Sequence, residues 1–91
     1  MKMTEYCDVL NVKLRLEYRH DLKWRARIDN AEIKENRTSV CLQSVFGVGD
    51  TPEKSMENYM SLIKGKYLVI DAGGTLRREY LVPTFIGSIE Q

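Results

Sequence analysis

The sequence predicts an α+β domain in which one amphipathic helix lies across one face of an antiparallel-rich sheet of about five strands, in the order β-β-β-α-β-β. Three observations point to this fold. Apolar and polar residues alternate from Leu10 to Tyr18 and again from Trp24 to Ile28, the period-two pattern of half-buried strands. A helical period with signals at both ends runs from Thr51 to Gly65. An apolar, β-branched run, Tyr67-Leu68-Val69-Ile70, follows it directly.

Residues 1 to 9 are not read as a helix, so the first element is the strand from Leu10. Leu10, Val12, Leu14, Leu16 and Tyr18 share one parity, with Asn11, Lys13, Arg15 and Glu17 on the other. Trp24, Ala26 and Ile28 oppose Lys23, Arg25, Arg27 and Asp29 in the same way. The two runs form a hairpin, and keeping both apolar sets on one face sets Leu16 opposite Ala26 with a loop of three residues from His20 to Leu22. No Gly or Asn is present in that loop to take a left-handed conformation cheaply.

Asn30 to Arg37 is polar around a lone Ile33 and reads as a connection that extends one strand or starts the next. Val40, Leu42, Ser44 and Phe46 alternate with Cys41, Gln43 and Val45, predicting a third strand from about Thr38 to Phe46. Gly47-Val48-Gly49-Asp50 then turns the chain into the helix. Thr51 suits the N-cap and Pro52 the first helical position, where a missing N–H is harmless. Met56, Tyr59, Met60 and Ile63 fall at i, i+3, i+4 and i+7 as one buried stripe, and Gly65 ends the helix. Lys66 to Asp71 is a strand buried on both faces, Ala72 to Thr75 a turn, and Arg77 to Val82 a fifth strand ended by Pro83. Phe85, Ile86 and Ile89 make the tail apolar enough to dock on the core or on another subunit.

Ninety-one residues without a linker or repeat make one domain, residues 1–91. Cys7 and Cys41 belong to no Cys-x-x-Cys pair and His20 is the single histidine, so neither a zinc site nor a disulfide framework is expected, and two free thiols suit a reducing compartment. No apolar run approaches the ~20 residues that span a bilayer, and Met1 to Tyr6 lacks the apolar stretch of a secretory signal. A cytoplasmic protein without a membrane partner is expected.

No residue pattern supplies catalysis. The Gly47-to-Thr51 segment precedes a helix but lacks the Gly-Lys-Ser/Thr of a phosphate loop, and Asp50 would repel a phosphate. His20 has no nucleophile to serve, and Asp71 reads as a turn former. No catalytic residue, cofactor or metal is expected. The informative polar feature is the outer face of the hairpin, where Lys13, Arg15, Arg19, Lys23, Arg25 and Arg27 gather with Glu17 and Asp29, although the chain carries a net charge of only +1. Acidic proteins and phosphate backbones both select such a surface. A solvated face, with Glu17 and Asp29 pairing across strands with Arg25 and Lys13, is the alternative. Tyr18 and Trp24 fall on the core parity, away from any nucleic acid.

By Gly49-Asp50-Thr51-Pro52-Glu53-Lys54-Ser55-Met56-Glu57-Asn58, preceded by a hairpin containing Trp24-Arg25-Ala26-Arg27-Ile28, the chain resembles the N-terminal domain of HicB-type antitoxins over roughly residues 10 to 71. The resemblance implies three strands, a helix and a further strand. Ser55 stands where that family usually has Ala, Gln43-Ser44-Val45-Phe46 lacks its Pro-Asp-x-Pro-Gly signature, and no operator-binding segment follows. The chain is also similar to small phage or mobile-element proteins that bind and inhibit host factors, including defence systems. The expected function is therefore a non-enzymatic protein that sequesters or inhibits a protein partner. The alternatives are a nucleic-acid-binding module built on the basic hairpin, for DNA or double-stranded RNA, and a small-molecule binder. Open sheet edges and the apolar tail predict a homodimer or higher oligomer.

Overall fold

The computed structural model describes residues 2–84. Alternation brings together β1 (Leu14–Tyr18) and β2 (Trp24–Ile28), antiparallel, with Leu16 opposite Ala26 as the parity requires. The Arg19 N–H donates to Lys23 O (2.9 Å) to close the hairpin, and the reversal places Leu22 in the left-handed region at φ 64. A glycine is the usual occupant of such a position, because a side chain there costs about 1–2 kcal/mol.

The predicted helix is α2 (Pro52–Ile63). Thr51 caps it, its hydroxyl oxygen accepting the Lys54 N–H at 3.1 Å, and Gly65 leaves it at φ 75. Met56, Tyr59 and Ile63 are buried and Met60 packs at the margin of the core. α2 lies on β4 (Gly47–Gly49), the outer neighbour of β2, so that β1-β2-β4 form a three-stranded antiparallel sheet. The approach is close enough to demand glycine. A Cβ on Gly47 would stand 2.1 Å from Ser55 O and 2.4 Å from the Tyr59 nitrogen.

Two expectations fail here and a third is narrowed. The N-terminal residues form a helix, α1 (Met3–Leu10), which buries Met3, Tyr6, Cys7 and Leu10 in the common core and ends on a left-handed Asn11. Those four residues stand at i, i+3, i+4 and i+7, so the helical period was present and only its shortness hid it. The polar connection contains β3 (Ala31–Lys34), with Ala31 and Ile33 buried. Its outward Lys34 is also covered and pairs with Glu79 (2.6 Å), a bond that holds the Glu79 carboxyl below the usual carboxylate range. Residues 38–46 make no strand beyond a bridge from Gln43 to Ile33. The slot beside β2 goes to the two glycines that fit beneath α2, and the residues before them run free, Val40 at 91% exposure.

The sheet consequently divides. A left-handed Asn30 (φ 58) turns the chain out of β2, and β3 joins β5 (Tyr67–Ile70) and β6 (Arg78–Leu81) in a second antiparallel sheet of order β3-β5-β6. The central β5 buries Leu68, Val69 and Ile70, as its composition predicts. The expected single sheet of five strands under one helix is thus two sheets of three with two helices, still α+β. The expected docking of Phe85, Ile86 and Ile89 lies outside the described residues.

A hydroxyl completes the seam between helix and sheet. The bonds Arg19 N–H to Lys23 O and Asp29 N–H to Lys13 O show that odd residues of the hairpin bond across it, which aims the even N–H groups of β2 at β4. β4 reaches only as far as Ala26 opposite Gly47. The next even N–H, that of Ile28, is satisfied by the Tyr59 hydroxyl at 3.1 Å.

Candidate functional site

The hairpin's even face is core only at its base. Ala26 and Ile28 are fully buried under α2, Leu14 packs against the core, but Leu16 is 39% exposed and Tyr18 54%. Tyr18 stacks at a tilt on the half-buried Trp24, ring centroids 5.2 Å apart. Parity assigned these residues to the core; α2 simply does not extend over the hairpin tip.

The odd face forms a groove of about 340 Å³ lined by Arg15, Glu17, Arg19, Arg25, Arg27, Ser44 and Phe46. Four of the six predicted basic residues meet there. Lys13 and Lys23 do not line it; Lys23 reaches Asp50 at the start of α2 instead, and that contact raises the lysine's pKa and lowers the aspartate's. Each groove arginine has an acid: Arg15 with Asp29 (3.4 Å), Arg19 with Glu17 (3.1 Å), Arg25 with Asp21 (2.9 Å) and Arg27 with Glu32 (3.9 Å). The cross-strand pairs expected for Glu17 with Arg25 and Asp29 with Lys13 are replaced by these.

Two of the arginines are held from below. Arg27 donates to Ser44 Oγ (3.0 Å) and to Ala31 O (2.8 Å), which fixes its guanidinium across the sheet junction. Arg25 lies over the Phe46 ring, 5.2 Å from its centroid, a cation–π geometry. Its Nη1 is shielded from solvent and finds no acceptor among the described residues. A buried cationic donor left unpaired is unfavourable by more than a neutral one, so this is where the groove lacks an acceptor. Ser44 and Phe46 are not among the predicted site residues; they lie in the expected third strand, and nothing in the alternation marks a segment whose pairing is limited to one bridge at Gln43.

The remaining candidates are structural. The Asp71 main chain takes φ 55 and its carboxylate accepts the Leu76 N–H (3.3 Å), closing the turn before β6. Thr51 already occupies the start of α2 as its cap. Cys7 and Cys41 are both free, and burial with the neighbouring Asp8 pushes the Cys7 thiol up to about 11, leaving it protonated and unreactive at neutral pH. Among the described residues no cluster of His, Cys, Asp or Glu has the makings of a metal site, and no helix is long and apolar enough to cross a membrane. Compared with protein-family models, with curated protein sequences and with solved structures, the chain matches none.

Proposed function

We propose that the chain is a non-enzymatic binding protein that sequesters or inhibits a partner protein, and that the arginine groove of the β1-β2-β4 sheet takes an acidic side chain of that partner. The observation that carries this is Arg25 Nη1, a guanidinium nitrogen shielded from solvent and without an acceptor among the described residues, in a side chain that lines a groove with room for one or two side chains. A carboxylate entering from a partner supplies the missing acceptor and forms a charge-assisted hydrogen bond. An antitoxin-like or phage-inhibitor role is one form this function takes, and a self-associating chain suits it.

Charge arithmetic favours a protein over a nucleic acid. Lys13, Arg15, Arg19, Lys23, Arg25 and Arg27 are six cations, and Glu17, Asp21, Asp29, Glu32 and Asp50, five acids, stand among them, leaving a face of net charge near +1. Phosphate-backbone binding draws its affinity from summed, unneutralised charge, which this face lacks. The one ring in the groove, Phe46, is already covered by a guanidinium and offers no platform for a base. Recognition of a single carboxylate needs only local, directed donors.

The test is capture from a native lysate with and without nuclease, followed by affinity measurement on the captured protein. Arg25→Lys removes the planar fork while keeping the charge, and is expected to weaken binding by about 2–3 kcal/mol with an unchanged melting midpoint. Loss of all captured material on nuclease treatment makes the nucleic-acid reading the right one.

A further inference from the structure

Sheet edges expose unpaired backbone groups, and at three of its four edges this chain supplies a partner to at least one of them. At β4 the outward Val48 N–H is taken by Asn58 Oδ1 (2.9 Å). At β3 Ile33 exchanges both backbone bonds with Gln43 (2.9 and 2.8 Å). At β6 the outward Leu81 carbonyl accepts the Tyr6 hydroxyl (3.3 Å). β1 is the fourth. Because its odd residues bond to β2, the N–H and C=O groups of Leu14, Leu16 and Tyr18 point outward, and none of them has a hydrogen-bond partner among the described residues. Two of the same residues, Leu16 and Tyr18, carry the exposed apolar side chains towards the hairpin tip.

We infer that β1 pairs antiparallel with β1 of a second copy of this chain, about a two-fold axis at Leu16. Ladder geometry requires even residues opposite even residues, which leaves few registers, and charge chooses among them. With the axis at Leu16, Arg15 of each copy faces Glu17 of the other on the groove side, twice by symmetry. On the opposite side Leu14 faces Tyr18 and Leu16 faces Leu16, so the exposed apolar strip covers itself. Moving the axis to Arg15 sets that arginine against its own copy. Moving it to Glu17 sets glutamate against glutamate and Arg15 against Arg19. Like charges directly opposed destabilise a strand pair; the Leu16 register alone pairs all five residues of β1 with one another and sets unlike charges opposite within them, with Lys13 facing Arg19 only beyond the strand ends. The dimer joins two three-stranded sheets into one continuous sheet, with both arginine grooves on the same side and both α2 helices on the other.

This inference stands on the edge of β1 and does not rest on the partner reading; because Arg15 and Glu17 also line the groove and Arg25 lies across from Glu17 on β2, the backbone variant Leu16→Pro is the one that separates the two surfaces. Sedimentation velocity on the full chain tests it through charge exchange. The wild type is expected to dimerise, and Glu17→Arg or Arg15→Glu alone to weaken the dimer about tenfold or more. The double exchange R15E/E17R restores it, and an equimolar mixture of the two single variants forms heterodimers, since each then presents to the other the charges it lacks. Leu16→Pro deletes an outward N–H that its own chain does not use, and gives monomers that retain the wild-type circular dichroism. A wild type that stays monomeric at about 100 μM, or a dimer indifferent to all four variants, overturns the proposal. Loss of the dimer with retained capture of a partner protein separates this surface from the groove.

Discussion

The two sheets have the same size and the same antiparallel pairing, but they do different work. In β3-β5-β6 the central strand is buried on both faces, β3 exchanges backbone bonds with Gln43, one carbonyl of β6 accepts the Tyr6 hydroxyl, and even Lys34 is folded under a salt bridge. In β1-β2-β4 one half of one face lies beneath α2 and everything else is open: the arginine groove, the apolar strip at Leu16 and Tyr18, and the free edge of β1. The difference shows where a small chain places its stability and where it leaves surface for others. A domain of this size has too little core to bury both sheets completely: β6 keeps Leu81 at 57% exposure, and β1-β2-β4 is left more open still.

That contrast is open to direct tests, the largest first. Ile63 is fully buried in the common core, and Ile63→Ala is expected to lower unfolding free energy by about 2–5 kcal/mol, against less than about 1 kcal/mol for Leu16→Ala near the hairpin tip. Denaturant titration at a concentration where the protein is monomeric reads both; equal losses would erase the distinction between covered and open halves. A finer test makes the same chemical change twice. Tyr59→Phe leaves the Ile28 N–H buried without an acceptor and is expected to cost about 1–3 kcal/mol, whereas Tyr18→Phe, on an exposed ring, stays within about 0.5 kcal/mol. The smallest effect has the opposite sign. Leu22 holds a left-handed main chain with an exposed side chain, so Leu22→Gly is expected to stabilise the hairpin by roughly 0.5–1 kcal/mol, seen as a raised melting midpoint. A drop instead would mean that the tip packs against something in solution.

What the sequence determined by itself was local. Alternation over residues 14 to 18 and 24 to 28 set the hairpin and its register, because a one-residue slip would have turned Ala26 and Ile28 out to water, although the strand begins at Leu14 and not at Leu10. Thr51, Pro52 and the Met56-Tyr59-Ile63 stripe set the helix, because caps and periodicity act within a few residues. The gathering of Arg15, Arg19, Arg25 and Arg27 follows from the same register. What only the tertiary structure decided was which neighbour each strand found. Ala31 and Ile33 are too few to announce a strand and become one because β5 is there to pair with them. Residues 38–46 alternate well yet form no strand, because Gly47 and Gly49 alone can lie under α2 beside β2. Tyr18 has a core parity and an exposed ring, since burial depends on how far a helix elsewhere in the chain extends. Periodicity says which face a residue is on; only packing says what, if anything, covers that face.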